Sequence, residues 1–132
     1  MKKFLTSVII IAMAINNAMA QKLTAQNTTY DCGQILFRTP TTAIFKIKNT
    51  SNKQVKIKEI ISPCGCTKVK LSKKNIGSNK EAKVEVTYDA KQLGHFHKEI
   101  LLFEEGAQEP LALTVKGIVA TEIKDFSKNY PY

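Results

Sequence analysis

The sequence of 132 residues lacks tryptophan, has Arg38 as its single arginine, and sets 11 acidic residues against 20 basic ones. A nucleic-acid site usually clusters arginine with interleaved aromatic residues, so we expect no nucleic-acid partner. The basic excess is nearly all lysine, spread singly along strand-like runs in the way that is typical of a solvated sheet face. Such a basic face favours encounter with acidic partners.

The motifs that usually carry catalysis are also missing. The sequence has no Gly-rich phosphate loop, no G-x-S-x-G elbow and no H-E-x-x-H pair. The acidic residues are few and scattered, and Glu104 and Glu105 fall together only in a predicted turn. We therefore predict that the chain is not an enzyme and that it uses no cofactor.

The first 20 residues have the pattern of a secretory signal peptide. Lys2 and Lys3 precede an apolar run over residues 4–15, and Ala18-Met19-Ala20 supplies the small residues before a cleavage site. The apolar run is shorter than the roughly 20 residues that span a bilayer, which disfavours a retained anchor. We expect cleavage after residue 20, no transmembrane span in the mature chain, and a periplasmic or secreted location.

The rest of the sequence alternates apolar and lysine-rich positions with a period of two, as strands with one buried face do. About seven strands separated by turn residues predict a single immunoglobulin-like antiparallel β-sandwich over residues 21–120, and residues 121–132 form a short tail. The segment 96–103 is the most apolar and is predicted to be central and buried on both faces. The predicted strands cover residues 28–35, 42–49, 55–61, 67–71, 82–88, 96–103 and 111–119.

Six segments, in order, carry a resemblance to a known family. They are Asp31-Cys32-Gly33-Gln34-Ile35, Phe45-Lys46-Ile47-Lys48-Asn49-Thr50, Cys64-Gly65-Cys66-Thr67, Val84-Glu85-Val86-Thr87-Tyr88-Asp89, Gly94-His95-Phe96-His97-Lys98-Glu99-Ile100 and Leu113-Thr114-Val115-Lys116-Gly117-Ile118-Val119. Over roughly residues 28–120 the chain resembles the DUF1573 family of exported bacterial immunoglobulin-like domains of unknown function. The resemblance implies a sandwich related to the fold of major sperm protein, in which binding and scaffolding roles predominate, and it does not imply catalysis.

The sequence departs from the pattern of that family at two places. Cys32 stands where the family usually has an aromatic residue, and residues 76–79 replace its usual proline-glycine turn. The resemblance also implies that the Cys-Gly-Cys pair occurs without a partner at position 32. A disulfide from Cys32 would therefore be particular to this chain.

Three cysteines leave the thiol chemistry open among several alternatives. In the structural interpretation, which we favour, Cys64 and Cys66 are small buried side chains in a tight turn and Gly65 supplies a positive φ. In a second, a disulfide joins Cys32 to Cys64 or to Cys66. In a third, Cys64 and Cys66 close a small and readily reduced ring, which makes them a redox pair.

A fourth interpretation is a soft-metal site that includes both histidines. Two close thiolates suit Cu(I) or Zn(II), and His95 and His97 share one face of a predicted strand. If that strand passes the turn, Cys64 and Cys66 complete a four-ligand set. In the alternative, the histidines are surface residues that flank a buried Phe96.

These observations favour a non-catalytic binding or scaffolding module exported to the bacterial cell envelope. Its expected partner is another protein or an envelope component, recognised through a sheet edge or the end loops. The alternative function is a thiol-based metal-binding or redox protein that uses the Cys-Gly-Cys turn.

Overall fold

The computed structural model describes residues 22–123, and within that range the chain forms nine strands and no helix. The predicted signal peptide and residues 124–132 of the predicted tail lie outside the described residues. The strands are β1 (Leu23–Ala25), β2 (Thr29–Leu36), β3 (Thr41–Asn49), β4 (Val55–Ile61), β5 (Thr67–Leu71), β6 (Asn75–Ile76), β7 (Glu81–Tyr88), β8 (Gly94–Glu104) and β9 (Leu111–Ala120).

The strands form two sheets that face each other as a sandwich. A four-stranded sheet has the order β1-β3-β7-β5, and a five-stranded sheet has the order β2-β9-β8-β4-β6. All strand pairs are antiparallel except β2 and β9, which run parallel. The predicted immunoglobulin-like β-sandwich is therefore confirmed, and two short strands, β1 and β6, add to the seven that the sequence pattern predicts.

The hydrophobic core lies between the sheets and follows the period of two. On β3, Ala43, Phe45 and Ile47 are buried while the residues between them are exposed. On β7, Val84 and Val86 alternate in the same way with charged and polar side chains. Because successive strand side chains point to opposite faces, each strand contributes one apolar row to the core.

Strand β8 is central, as predicted, because it lies between β9 and β4. The prediction that both of its faces are buried is wrong. The outer face is exposed at His95, His97 and Glu99, and it is only half-buried at Leu101 and Phe103. The apolar residues of β8 therefore fill its buried face, and on its outer face they occupy only the half-buried C-terminal end.

A fully buried asparagine ties the turn after β3 to the short strand β6. Asn49 Nδ2 donates hydrogen bonds to the carbonyl oxygens of Lys53 at 2.7 Å, Ile76 at 2.9 Å and Gly77 at 3.2 Å. Its Oδ1 accepts from the amide N of Ser51 at 3.0 Å and from the Ser51 hydroxyl at 2.7 Å. This one side chain therefore joins three backbone carbonyl groups and Ser51 in one buried hydrogen-bonded cluster.

Candidate functional site

The Cys-Gly-Cys turn connects β4 of one sheet to β5 of the other. Its two cysteines, Cys64 and Cys66, form a disulfide with a Cα–Cα distance of 5.2 Å. The Ser62 hydroxyl is hydrogen-bonded to the Thr67 hydroxyl across the turn, and the Thr67 amide N donates to the Cys64 carbonyl oxygen at 3.4 Å. Among the described glycines Gly65 is not one with positive φ, so that part of the prediction is wrong and the turn closes with ordinary backbone angles.

The third cysteine lies on β2, where the strand departs from regular pairing with β9. Cys32 is a half-buried free thiol. The structure pairs Cys64 with Cys66, and it contains neither of the disulfides from Cys32 that the second interpretation expects. Next to it, Gly33 has φ of 64° and donates its amide N to Asp31 Oδ1 at 2.9 Å. Burial, and secondarily the Asp31 carboxylate, raises the pKa of the Cys32 thiol.

The raised pKa of Cys32 predicts slow alkylation. Thiolate is the reactive form, so we expect iodoacetamide at pH 8 to label Cys32 about threefold or more slowly than it labels glutathione. Asp31→Asn keeps the oxygen that accepts from Gly33 but removes the charge, and it should raise the rate. Mass spectrometry of the labelled protein measures both rates, with Cys32→Ser as the unlabelled control. Labelling of Cys32 as fast as that of glutathione would contradict the assignment.

The two histidines lie on the outer face of the five-stranded sheet. His95 is opposite Ile118 and His97 is opposite Lys116 in the β8–β9 pairing, and both histidines are exposed. They line one side of a shallow depression of 520 Å³ on that face. Phe96 between them is buried, as the surface interpretation of the histidines expects.

The metal interpretation would require the histidines and the turn cysteines to converge. Within residues 22–123 no three or more His, Cys, Asp or Glu side chains are grouped so that they could hold a metal ion. The sulfurs of Cys64 and Cys66 are joined to each other, and they would have to be reduced before they could bind a metal as thiolates. The metal set and the redox pair remain predictions.

The sheet edges differ in how far they invite a further strand. Over the described part of the chain, β1 has three residues, β6 has two, and β2 shifts register between Asp31 and Gln34. Short edge strands and bulges are the usual ways in which proteins block edge pairing. Strand β5 keeps one register with β7, from Thr67 opposite Tyr88 to Leu71 opposite Val84. It is the edge that is both longer than three residues and regular.

The hydrogen bonds at the two ends of β5 show which backbone groups point away from β7. The Asp89 amide N donates to the Cys66 carbonyl oxygen, and the Ser72 amide N donates to the Lys83 carbonyl oxygen, both at 3.0 Å. In an antiparallel ladder every second residue bonds to the same neighbour, so residues 68 and 70 also bond to β7. The N–H and C=O groups of Val69 and Leu71 therefore point outward, where no described strand pairs with them.

The two sides of this edge strand have different chemistry. Lys68 and Lys70 are exposed on the outer face of the four-stranded sheet. Val69 and Leu71 face inward, and they are half-buried where they pack against the core. The sequence predicts binding at a sheet edge. It does not predict that the edge is β5, because that depends on which strands are short or irregular.

The sequence model for "Protein of unknown function (DUF1573)" matches residues 23–119. The chain belongs to the DUF1573 family. No curated protein matches it by sequence. The match covers every strand apart from the last residue of β9, so the family corresponds to the whole described sandwich.

Solved structures share the fold of this DUF1573 domain at low sequence identity. A protein of unknown function from Porphyromonas gingivalis W83 matches with a TM-score of 0.65 and 14% identity over 77% of this chain and 51% of its own. The Vibrio cholerae VesB protease gives 0.62 and 14% over 78% and 33%. The ASH/PapD-like domain 7 of human CEP192 gives 0.61 and 11% over 77% and 87%. The chain thus spans about half and a third of the first two proteins.

These likenesses establish an immunoglobulin-like sandwich that also occurs inside longer chains. Over residues 22–123, no helix is both long enough and apolar enough to span a bilayer.

Proposed function

We propose that this DUF1573 chain is an exported, non-catalytic binding module of the cell envelope, and that it holds a partner protein by adding a partner strand to β5. The observation that carries the proposal is the open side of this strand, where Val69 and Leu71 direct backbone groups away from β7 and no strand within residues 22–123 pairs with them. Strand addition uses such groups for affinity and the alternating side chains for specificity.

Three further features support the proposal. The signal-peptide pattern at the N-terminus favours export. The ASH/PapD-like relative shows that the same sandwich exists as a domain of a larger protein. The disulfide between Cys64 and Cys66 lies immediately before β5 and restricts the conformational freedom of the turn that leads into the edge strand.

A proline at position 69 tests binding at this edge. The Val69 amide points away from β7, so Val69→Pro removes a donor for the partner without breaking the β5–β7 ladder. We expect Val69→Pro to lose partner binding while the thermal midpoint stays close to that of Val69→Ala, which loses a similar amount of packing. Partner binding must be measured for both variants.

Photo-crosslinking in cells that export the full chain provides that readout. A benzoylphenylalanine at position 70 lies on the edge strand, and one at position 46 lies on the same sheet face but on the interior strand β3. We expect one adduct from position 70 that is absent from position 46, retained in Val69→Ala and lost in Val69→Pro. The same abundant proteins captured from both positions, or an adduct that survives Val69→Pro, would contradict the proposal.

A further inference from the structure

We infer that the strand added to β5 comes from a segment in which acidic residues alternate with apolar ones. The inference rests on the proposed function, since it names the chemistry of the partner at the same edge. It follows from the two different rows of side chains that β5 presents to a neighbour.

The outer row is cationic. Lys68 and Lys70 are exposed on the outer face, and on the other side of β5 they lie opposite Thr87 and Glu85 of β7. A new strand would place its own outward side chains beside these two lysines at the spacing of a cross-strand pair. Opposite charges at that spacing stabilise pairing and like charges oppose it, so the outward residues of the partner should be Asp or Glu.

The inner row is apolar. Val69 and Leu71 are half-buried where they pack against the core at the open side of the four-stranded sheet. Inward side chains of an added strand would cover this open side and remove apolar surface from water. The inward residues of the partner should therefore be Val, Ile or Leu, which also favour strands.

The arrangement of the four edges supports a binding role for β5. Lysines on an edge strand also serve to prevent aggregation, and that role alone would need no partner. The other edges are short or irregular instead, and β5 combines its lysines with a regular ladder and a half-buried apolar row. Val69 and Leu71 stabilise the core, and because they are only half-buried they also leave apolar surface that an added strand could cover.

Three labelled synthetic peptides test the inference by fluorescence anisotropy with the mature chain. One alternates Glu and Val over seven residues, one alternates Lys and Val, and one has the Glu–Val composition with the residues in blocks. We expect the alternating Glu–Val peptide to bind at least about tenfold more tightly than either of the others, because two cross-strand charge pairs and one apolar row contribute.

Charge-reversal variants provide the matched control. Lys68→Glu with Lys70→Glu should weaken Glu–Val binding about tenfold and should reverse the preference toward the Lys–Val peptide. Lys46→Glu with Lys83→Glu changes the net charge equally on the same face, but those residues are a directly opposed pair on the interior strands β3 and β7. This second pair of changes should leave the preference for Glu–Val intact. Circular dichroism checks that both variants remain folded.

The outcomes separate the inference from the proposed function. Equal binding of the Glu–Val and Lys–Val peptides, or no binding of either, would overturn the inference of an acidic segment. Loss of the crosslinked adduct at position 70 in Val69→Pro would still support strand addition at β5, whatever the peptides show. If Lys68→Glu with Lys70→Glu only increased self-association without changing peptide preference, the lysines would be protective and the inference would also fail.

Discussion

Asn49→Asp is expected to lower the free energy of unfolding by roughly 4 kcal/mol. The amide Nδ2 donates to three carbonyl oxygens, those of Lys53, Ile76 and Gly77. A carboxylate cannot donate to them, and it would bury a negative charge among oxygens of partial negative charge. The turn after β3 and strand β6 should then separate.

Urea unfolding followed by circular dichroism measures the effect of Asn49→Asp. Asn52→Asp is the matched control, because it makes the same chemical change three residues away at an exposed position. Substitutions at exposed positions usually change stability by less than about 0.5 kcal/mol. If the two variants lost similar stability, the hydrogen bonds of Asn49 would not hold this end of the sandwich together.

Gly117→Ala is expected to cost about 2–3 kcal/mol by overpacking. A Cβ at this position would lie 2.8 Å from the Gly33 carbonyl oxygen and 2.8 Å from Phe96 Cζ. Neither neighbour can retreat easily. Gly33 is fixed by its left-handed backbone and its bond to Asp31, and the Phe96 ring is stacked on Tyr88 with centroids 4.2 Å apart.

Gly65→Ala is the control for Gly117→Ala. A Cβ at Gly65 would meet nothing within 4 Å, and its φ is not positive, so we expect a change below about 0.5 kcal/mol. Thermal unfolding separates the two, since a domain of about 100 residues loses roughly 4–8 °C in Tm per kcal/mol. A Tm for Gly117→Ala within a few degrees of that for Gly65→Ala would show that the strands move apart without cost.

The long strands could be predicted because each buries one face and therefore alternates. The segments around Phe45, Val84 and Val115 show this pattern directly. β1 and β6 could not be found, since two or three residues are too few to show a period. Tertiary contacts define them: Leu23 is buried and donates its amide to Glu104 Oε1 at 2.9 Å, and Ile76 is held by Asn49.

The candidate site was only partly predictable, because part of it depends on tertiary contacts that no local sequence pattern shows. The Cys64-Gly65-Cys66 turn is visible in the sequence, and the exposure of His95 and His97 follows from the alternation around Phe96. The edge that we propose for binding cannot be recognised in the sequence, because Lys68 and Lys70 have the same local pattern as lysines on the interior strands. Only the order of strands in the sheet shows that, among the described strands, β5 has a single neighbour.

Residue-resolved amide hydrogen exchange with and without the alternating Glu–Val peptide tests binding at β5 most directly. Lys68 and Lys70 already bond to β7, so their amides should change little when the peptide is added. The amides of Val69 and Leu71 point outward and should become protected, because the added strand supplies their acceptors. Protection that appears on other strands, while Val69 and Leu71 exchange as before, would contradict strand addition at this edge.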